Sequence, residues 1–368
     1  MDTSGDRYDA IIVGSSFGGA ACALAARAGG LRVCVLERKQ DPGERLHTTG
    51  IIVKEAAEDT DLKGLPAHLV RRIDKVRLYS PNLRSALLSA PGYYFLTTDT
   101  PNVMRWLAER QRAAGVELKL GRSFRTAQRT ETGWQVDEVG SARFLIGADG
   151  ARSRVAERFG LGRPKRFLYG IEYEFEGTEL REPDTLHCFI SRRYAPGYIG
   201  WIAQTPTGVQ AGLAMRHDSA SARAPDIAGF LDHVGGLVGL PAQRRPDAIR
   251  AGLIPCSGPV APLARDGIIL TGDAAGIVSP VTAGGIHSAW RHGWTIGQAL
   301  AASAGGASPE DVAIRQAPRF RVKRCLRWAF DHAQMDWPFD LLLRSPPLRW
   351  AAEQIYFHKR GVAKRNAA

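Results

Sequence analysis

The sequence predicts an α/β fold: a parallel-sheet domain, an antiparallel sheet inserted into it, and a helical C-terminal segment. Three observations predict it. Residues 8–19, 144–153 and 267–276 each run from an apolar strand into a tight turn built on Gly, Asp-Gly or Gly-Asp. Between about 166 and 250 the texture changes to short alternating strands. Beyond Ser308 the chain becomes basic and aromatic. The three glycine segments span some 260 residues and read as one binding site for one large ligand, assembled from distant parts of the chain.

Ile11-Ile12-Val13 is a β-branched run, short enough for a strand buried on both faces. Gly14-x-Ser16-x-x-Gly19 follows, then a helical run of small residues from Ala20 to Ala26, then a second strand over 32–36 ending at Glu37. This is a βαβ dinucleotide unit. Gly14 makes the turn, Gly19 lets the helix pack on the strand, and the helix N-terminus offers free N–H groups to a pyrophosphate. Ser15, Ser16, Phe17 and Gly18 complete the loop, with Ser16 where the usual pattern has its middle glycine. Glu37, 23 residues beyond Gly14, is placed to bind a ribose hydroxyl. The same stretch matches the Gly-x-Ser-x-Gly nucleophile elbow of hydrolases, but Asp and His partners in the required order are not evident.

Asp149 and Asp273 both follow apolar strands, so both sit at strand carboxyl ends, where α/β sheets bind ligands. A carboxylate there can hold the hydroxyls of a ribose or another polyol; the plainer reading of either residue alone is a helix cap or a turn. Gly150 and Gly272 flank them, and Gly284-Gly285 opens a helical run from Ile286 to Ala301. Backbone at that helix start can approach a ligand closely and stabilise negative charge on it.

The remaining elements follow in order. Residues 103–114 read as a helix stopped by Gly115, followed by strands over 116–120, 134–136 and 143–146. Strands at 169–175, 186–190 and 209–215 build the inserted sheet, with a helix from Asp226 to Val234 stopped by Gly235-Gly236. The nucleotide domain is expected at 1–75, 92–165 and 250–305, the substrate domain at 76–91 and 166–249, and the basic helical segment at 306–368, after a linker over 303–309.

The Gly147-Ala148-Asp149-Gly150-Ala151-Arg152-Ser153 stretch closely resembles the Asp-Gly motif of flavoprotein hydroxylases and their relatives. Gly272-Asp273 resembles the Gly-Asp motif before their last FAD-contacting helix. With the first motif, residues 8 to 305 resemble the para-hydroxybenzoate-hydroxylase-fold FAD proteins. The resemblance implies a Rossmann-like FAD-binding domain. Aromatic hydroxylases have His where this chain has Gly276, and Pro280-x-Thr282-x-Gly284-Gly285-Ile286 is similar to the geranylgeranyl reductase-like branch. That branch implies FAD, with NAD(P)H or another donor, and reduction of isoprenoid double bonds. Gly197-Tyr198-Ile199-Gly200-Trp201 lies where the branch carries its Tyr-x-Trp-x-Phe-Pro substrate motif; Tyr198 is one residue further from Trp201, and Ala203-Gln204 replaces Phe-Pro. Thr100 stands where the branch has Arg before the second helix of the FAD domain. The resemblance also implies that the loop carrying Arg45, Thr49 and Gly50 runs along the flavin. Arg38 and Phe124 are counted with the cofactor-binding residues, and Tyr198 and Trp201 with the substrate pocket. Tyr198 is the candidate proton donor. The alternatives are an FAD monooxygenase of aromatic or polyketide-like compounds and a flavin electron-transfer subunit. A halogenase would need a Trp-x-Trp-x-Ile-Pro segment, of which Gly200-Trp201-Ile202 is a fragment.

At 368 residues the chain can bury a substantial core. Its five scattered Cys residues argue against a disulfide framework or a zinc site and fit a reducing cytoplasm. The short polar N-terminus runs straight into the first strand, so no signal peptide is expected, and no apolar run has the length of a membrane span. His287 and His292, five apart, do not share a helix face well, so no metal is expected. Net charge is +12, and from Ser308 onward twelve Lys or Arg against six Asp or Glu contribute +6 of it. Interleaved with aromatics, that charge suits a membrane interface or an acyl-carrier partner as well as a solvated helical cap. No nucleic-acid module is recognised, so nucleic acid is not an expected partner.

Overall fold

The computed structural model describes residues 6–217, 224–241, 244–306 and 308–332, together with Asp336, Asp340 and residues 352–353 and 355–357. In chain order the helices are α1 (Phe17–Ala28), α2 (Lys54–Asp59), α3 (Thr100–Ala113), α4 (Arg154–Arg158), α5 (Ile227–Val238), α6 (Ile286–Ala301), α7 (Pro309–Gln316) and α8 (Arg321–His332). The chain divides into two compact units. The first is Met1–Glu44, Pro101–Arg166 and Pro255–Arg324; the second is Arg45–Thr100, Phe167–Ile254 and Cys325–Ala368. Residues 45–75 and 92–100, grouped by sequence with the nucleotide domain, fall in the second unit. The physical reason is strand pairing: 52–53, 95–98 and 70–73 form a three-stranded sheet of their own and do not join the parallel sheet.

In the first unit the sheet runs, by residues, 264–265, 268–270, 140–147, 6–13, 33–36, 117–119, with 133–136 and 127–130 added at 140–147. The five strands from 268–270 to 117–119 are parallel. Ile11 sits opposite Cys34 on one side and Leu145 on the other, and all three are fully buried. That is why these strands read as continuous apolar runs rather than alternations. Cys22 and Cys34 pack within this core. α1 and α6 lie against each other through small residues. A Cβ on Gly293 would fall 2.1 Å from the Gly18 carbonyl oxygen, and one on Gly297 would fall 2.4 Å from that of Cys22. The run of small residues in α1 is thus a helix-on-helix seam with backbones nearly touching.

In the second unit the larger sheet is ordered 248–255, 167–176, 208–216, 199–204, 185–190, 75–79, 85–89. It is antiparallel at each strand pair whose register is known except one: 185–190 runs parallel to 75–79, with Leu186 opposite Val76. Alternation divides its faces. Val209, Ala211, Leu213, Ile202 and Phe189 pack with Phe230 and Val234 of α5. Trp201, Ala203, Ala214 and Cys188 face the other way, with Val76, Leu88 and Phe95. α5 runs through Gly235-Gly236, where the sequence predicts a stop, and ends at Gly239 with φ +89°. Its apolar face, Ile227, Phe230, Val234 and Val238, continues across the pair. That burial outweighs about 1 kcal/mol of helix propensity lost per glycine.

Candidate functional site

The three glycine segments meet at the carboxyl ends of the parallel strands. Register puts Val13 beside Leu36 and Gly147, and Gly147 beside Leu270, so the chain leaves four adjacent strands at one level. Gly14 has φ +101°, and a Cβ there would lie 2.4 Å from the Ala148 carbonyl oxygen. A Cβ on Gly19 would lie 1.9 Å from the oxygen of Gly14 itself. One on Gly18 would reach within 3.5 Å of the Gly272 nitrogen. The first turn is therefore wedged between the second and third segments, and side chains are excluded where backbone must pass backbone.

Two helices begin at this level without side-chain caps. Ser16, exposed and extended, is the N-cap of α1 and makes no capping bond, and the first turn of α1 carries no acidic residue. Gly285 caps α6 in the same bare way. Uncapped N-terminal N–H groups are suited to anionic groups. By contrast α4 is fully capped: Asp149 accepts from the Ser153 hydroxyl at 2.5 Å and from the backbone N–H of Arg154 at 2.7 Å and Val155 at 3.1 Å. Burial pushes the Asp149 carboxyl up, against those bonds. Gly150, at φ +84°, faces open space.

Glu37 is buried. Its carboxylate accepts from the Ser15 N–H at 3.1 Å, the Ser15 hydroxyl at 3.0 Å and the Lys39 N–H at 3.0 Å. Asp273 differs. It lies in a 3-10 turn, Gly272–Ala275, and desolvation alone pushes its carboxyl up to about 6. Among the described residues its carboxylate has no hydrogen-bond donor. A Cβ on Gly285 would be 3.7 Å from one of its oxygens, so the carboxylate stands at the mouth of α6. A half-buried carboxylate with no donor among the described residues, between two uncapped helix starts, fits a ligand carrying hydroxyls and phosphates. FAD has both, and the residues present fit it. Gly14 to Gly19 and Glu37 would hold its pyrophosphate and ribose end, and Asp273 with Gly284, Gly285 and Ile286 its ribityl and ring end.

The other expected residues fall elsewhere. Arg38 is exposed just after Glu37. Phe124 is buried in the core of the first unit, with its ring 6.3 Å from that of Phe159. Arg45, Thr49 and Gly50 belong to the second unit. There the Gly50 carbonyl accepts from the Thr98 hydroxyl at 3.0 Å and that of Thr49 from the Thr100 hydroxyl at 3.4 Å. Arg45 is exposed with φ 45°. Tyr198 and Trp201 are in the second unit too. Tyr198 is half-buried and packs on the face of the larger sheet that holds Trp201. Trp201 is buried there, its indole across Gly212, where a Cβ would sit 2.0 Å from the ring. His292 is buried, between the Thr271 hydroxyl at 3.0 Å and the Ala313 carbonyl at 2.9 Å, and no metal-binding cluster occurs among the described residues.

Sequence reasoning missed a buried polar row on that same face. The Trp201 indole N–H donates to Glu172 at 3.1 Å. Arg250 lies 3.6 Å from Glu172 and is held more closely by Glu174. Gln210, fully buried, finds no partner among the described residues for either end of its amide. The signal was available in Gly170, Glu172 and Glu174, which alternate with the apolar Ile171, Tyr173 and Phe175 on a strand whose charged face had to point somewhere.

Gly276 also has a structural reason. Its φ is +67°, and a Cβ would lie 2.4 Å from the Gly258 carbonyl oxygen. A histidine cannot stand there without moving that loop.

Comparison with known proteins gives the family and the fold. The model of the FAD-binding domain family matches residues 7–223. Digeranylgeranylglycerophospholipid reductase 2 of Methanothermobacter thermautotrophicus is 28% identical over 298 residues, covering 77% of this chain and 75% of the relative. Geranylgeranyl diphosphate reductase of Rhodobacter capsulatus is 28% identical over 328 residues, covering 84% and 79%. A crystal structure of a geranylgeranyl bacteriochlorophyll reductase-like protein from Thermoplasma acidophilum superposes with a TM-score of 0.79 at 17% identity, over 96% of this chain and 97% of that one. The chain belongs to the FAD-binding domain family and is a geranylgeranyl reductase-like, FAD-dependent oxidoreductase of the para-hydroxybenzoate-hydroxylase fold.

Proposed function

We propose that this protein reduces a carbon–carbon double bond of an apolar, isoprenoid-like substrate, with NAD(P)H as a transient electron donor. The observation that carries the choice of reduction over hydroxylation is Gly276, whose left-handed backbone against the Gly258 carbonyl leaves no room for the hydroxylase histidine. The named activities of the relatives point the same way. FAD, when bound, supplies the hydride chemistry. The chain's own residues hold it: uncapped α1 and α6 meet negative charge, and Asp273 accepts hydroxyl protons. Trp201 and Tyr198 offer an apolar wall for a prenyl chain, and the Tyr198 hydroxyl is the proposed proton donor to the substrate carbon. The basic segment from Ser308 is the proposed contact with a membrane or carrier protein. No described helix is long and apolar enough to cross a membrane.

The test is the fate of reduced flavin without oxygen. The FAD-loaded protein is reduced anaerobically and given geranylgeranyl-type substrates while the flavin band near ~450 nm is followed. Reoxidation with a saturated product establishes the reductase. Reoxidation only on admitting air, with an oxygenated product from an aromatic panel, overturns it in favour of a monooxygenase. Bleaching by NADPH or NADH tests the donor, and a Tyr198→Phe variant with unchanged turnover removes Tyr198 from the proton path. Co-sedimentation with anionic vesicles tests the membrane contact.

A further inference from the structure

A cavity of about 490 Å³ opens on the first unit, lined by none of the residues assigned to FAD. Its volume lies in the ~300–1,000 Å³ range of small-molecule sites. Pro259, Val260, Pro262 and Leu263 form one wall, and Ile314 of α7 with Ala317 just beyond it forms another. The loop wall is tied down by the Val260 N–H donating to the Ala275 carbonyl at 3.0 Å, so it is a fixed surface. Arg319, Arg321 and Arg324 stand at the edge, and no acidic residue lines the cavity.

The charge here has no acidic counterpart among the described residues. Among the described residues, none of these three guanidinium groups makes an ion pair or a hydrogen bond. Elsewhere in the chain Arg32, Arg72, Arg77, Arg105 and Arg122 each have an acidic partner. Arg321 is the first residue of α8, whose first turn contains no acidic residue, so the positive end of that helix adds to the three side chains. The aliphatic stem of Arg324 lies along Gly258, where a Cβ would be 3.3 Å away, and this aims the stem across the cavity wall. An apolar pocket edged by three guanidinium groups at a helix start complements a molecule with an apolar tail and a phosphate head.

We propose that this cavity binds a phosphate-headed amphiphile, its hydrocarbon chain between Val260, Leu263, Ile314 and Ala317 and its phosphate on Arg319, Arg321 and Arg324. The site lies outside the cofactor residues, and the proposal does not depend on which reaction the flavin supports. Tail and head contribute separately: the tail through burial, the head through charge-assisted bonds that salt weakens.

The test is calorimetric titration of the full-length, FAD-loaded protein with dodecyl phosphate below its micelle concentration. Inorganic phosphate and the uncharged dodecanol are the controls. One dodecyl phosphate per chain is expected, at least tenfold tighter than either control and weakening as salt is raised. The combined Arg319→Gln, Arg321→Gln and Arg324→Gln variant should lose at least tenfold in affinity for dodecyl phosphate and nothing for dodecanol. Ala317→Trp, which fills the cavity from the other wall, should weaken both. An unchanged flavin spectrum and melting temperature certify that each variant is folded. Vesicles of phosphatidylcholine with and without phosphatidic acid separate the sources of the head group. Sedimentation with phosphatidic acid that the arginine variant loses means a membrane lipid; its absence beside tight dodecyl phosphate binding means a free amphiphile. Dodecyl phosphate bound no tighter than inorganic phosphate, or bound equally by the arginine variant, overturns the proposal.

Discussion

Glu172 offers a direct test of how the buried polar row is balanced. Its side chain is 4% exposed, and burial pushes its carboxyl up to about 7 from an ordinary 4.5. Two groups oppose this: Arg250 at 3.6 Å and the Trp201 indole N–H at 3.1 Å. They lose because desolvation of a fully buried carboxylate outweighs both, and Glu174, which holds Arg250 more closely, adds its repulsion. The sign follows from proton counting. Between pH 4.5 and 7 the folded protein keeps a proton on Glu172 that the unfolded chain has released, so stability falls as pH rises through that window. The shift corresponds to about 3 kcal/mol, present at pH 4 and gone above pH 7. Glu172→Gln keeps an oxygen for the indole and does not titrate. The melting temperature of the wild type relative to this variant should therefore fall by roughly 6–12 °C between pH 4 and pH 8, at about 2–4 °C per kcal/mol for a unit of this size. Differential scanning fluorimetry across that range measures it. A wild-type-to-variant difference that does not change with pH would refute the reasoning. It would mean that Glu172 is ionised throughout and that Arg250 outweighs desolvation.

Other perturbations act on the flavin-binding unit and on α5. Gly297→Leu drives a side chain into a seam where even a Cβ would be 2.4 Å from the Cys22 carbonyl and 2.7 Å from the Ala25 Cβ. The cost should exceed about 3 kcal/mol, seen as a collapse of the thermal midpoint and loss of bound flavin per protein. Asp273→Asn removes a charged acceptor worth about 1.5–3 kcal/mol, so FAD affinity should drop by roughly 10–150-fold in a fluorescence titration. In the wild type that affinity should weaken as pH falls through about 6, where the carboxyl gains its proton, and the variant should show no such step. Gly239→Ala puts a side chain at φ +89° and against the Arg181 stem, costing about 1–2 kcal/mol, read as a lower denaturant midpoint with an unchanged m-value.

The parallel core was legible because burial on both faces leaves an unmistakable mark. Ile11, Ile12, Leu145, Ile146, Ile269 and Leu270 sit in runs with no polar alternation, each broken by a glycine that the backbone geometry requires. α6 was legible at both ends, from Gly285 to Ala301. What the sequence hid was pairing between distant strands. Nothing local in Val76 or Leu186 announces a parallel partner about 110 residues away. Nor does anything in 52–53, 70–73 or 95–98 say that they form their own small sheet. The glycine pair in α5 misled for a related reason. A glycine is a helix stop only when its left-handed conformation is used, and here Gly239 uses it while Gly235 and Gly236 do not.

The three site carboxylates show most clearly where sequence reasoning stops. Glu37, Asp149 and Asp273 all follow buried strands, and pattern treats them alike. Yet a carboxylate has only about four acceptor positions. Glu37 has committed three of them to Ser15 and Lys39, and Asp149 three to Ser153, Arg154 and Val155. Each can take about one more donor, so each shapes its loop first and serves a ligand second. Asp273 has committed none among the described residues, although burial raises its carboxyl to about 6. Half-buried, it keeps its acceptor positions open to a hydroxyl-bearing ligand. The strongest hold on the cofactor's polyol chain should therefore come from the Gly-Asp turn rather than from the more familiar first motif. The distinction rests on which N–H groups fold back to which oxygen, and three-dimensional placement alone decides that.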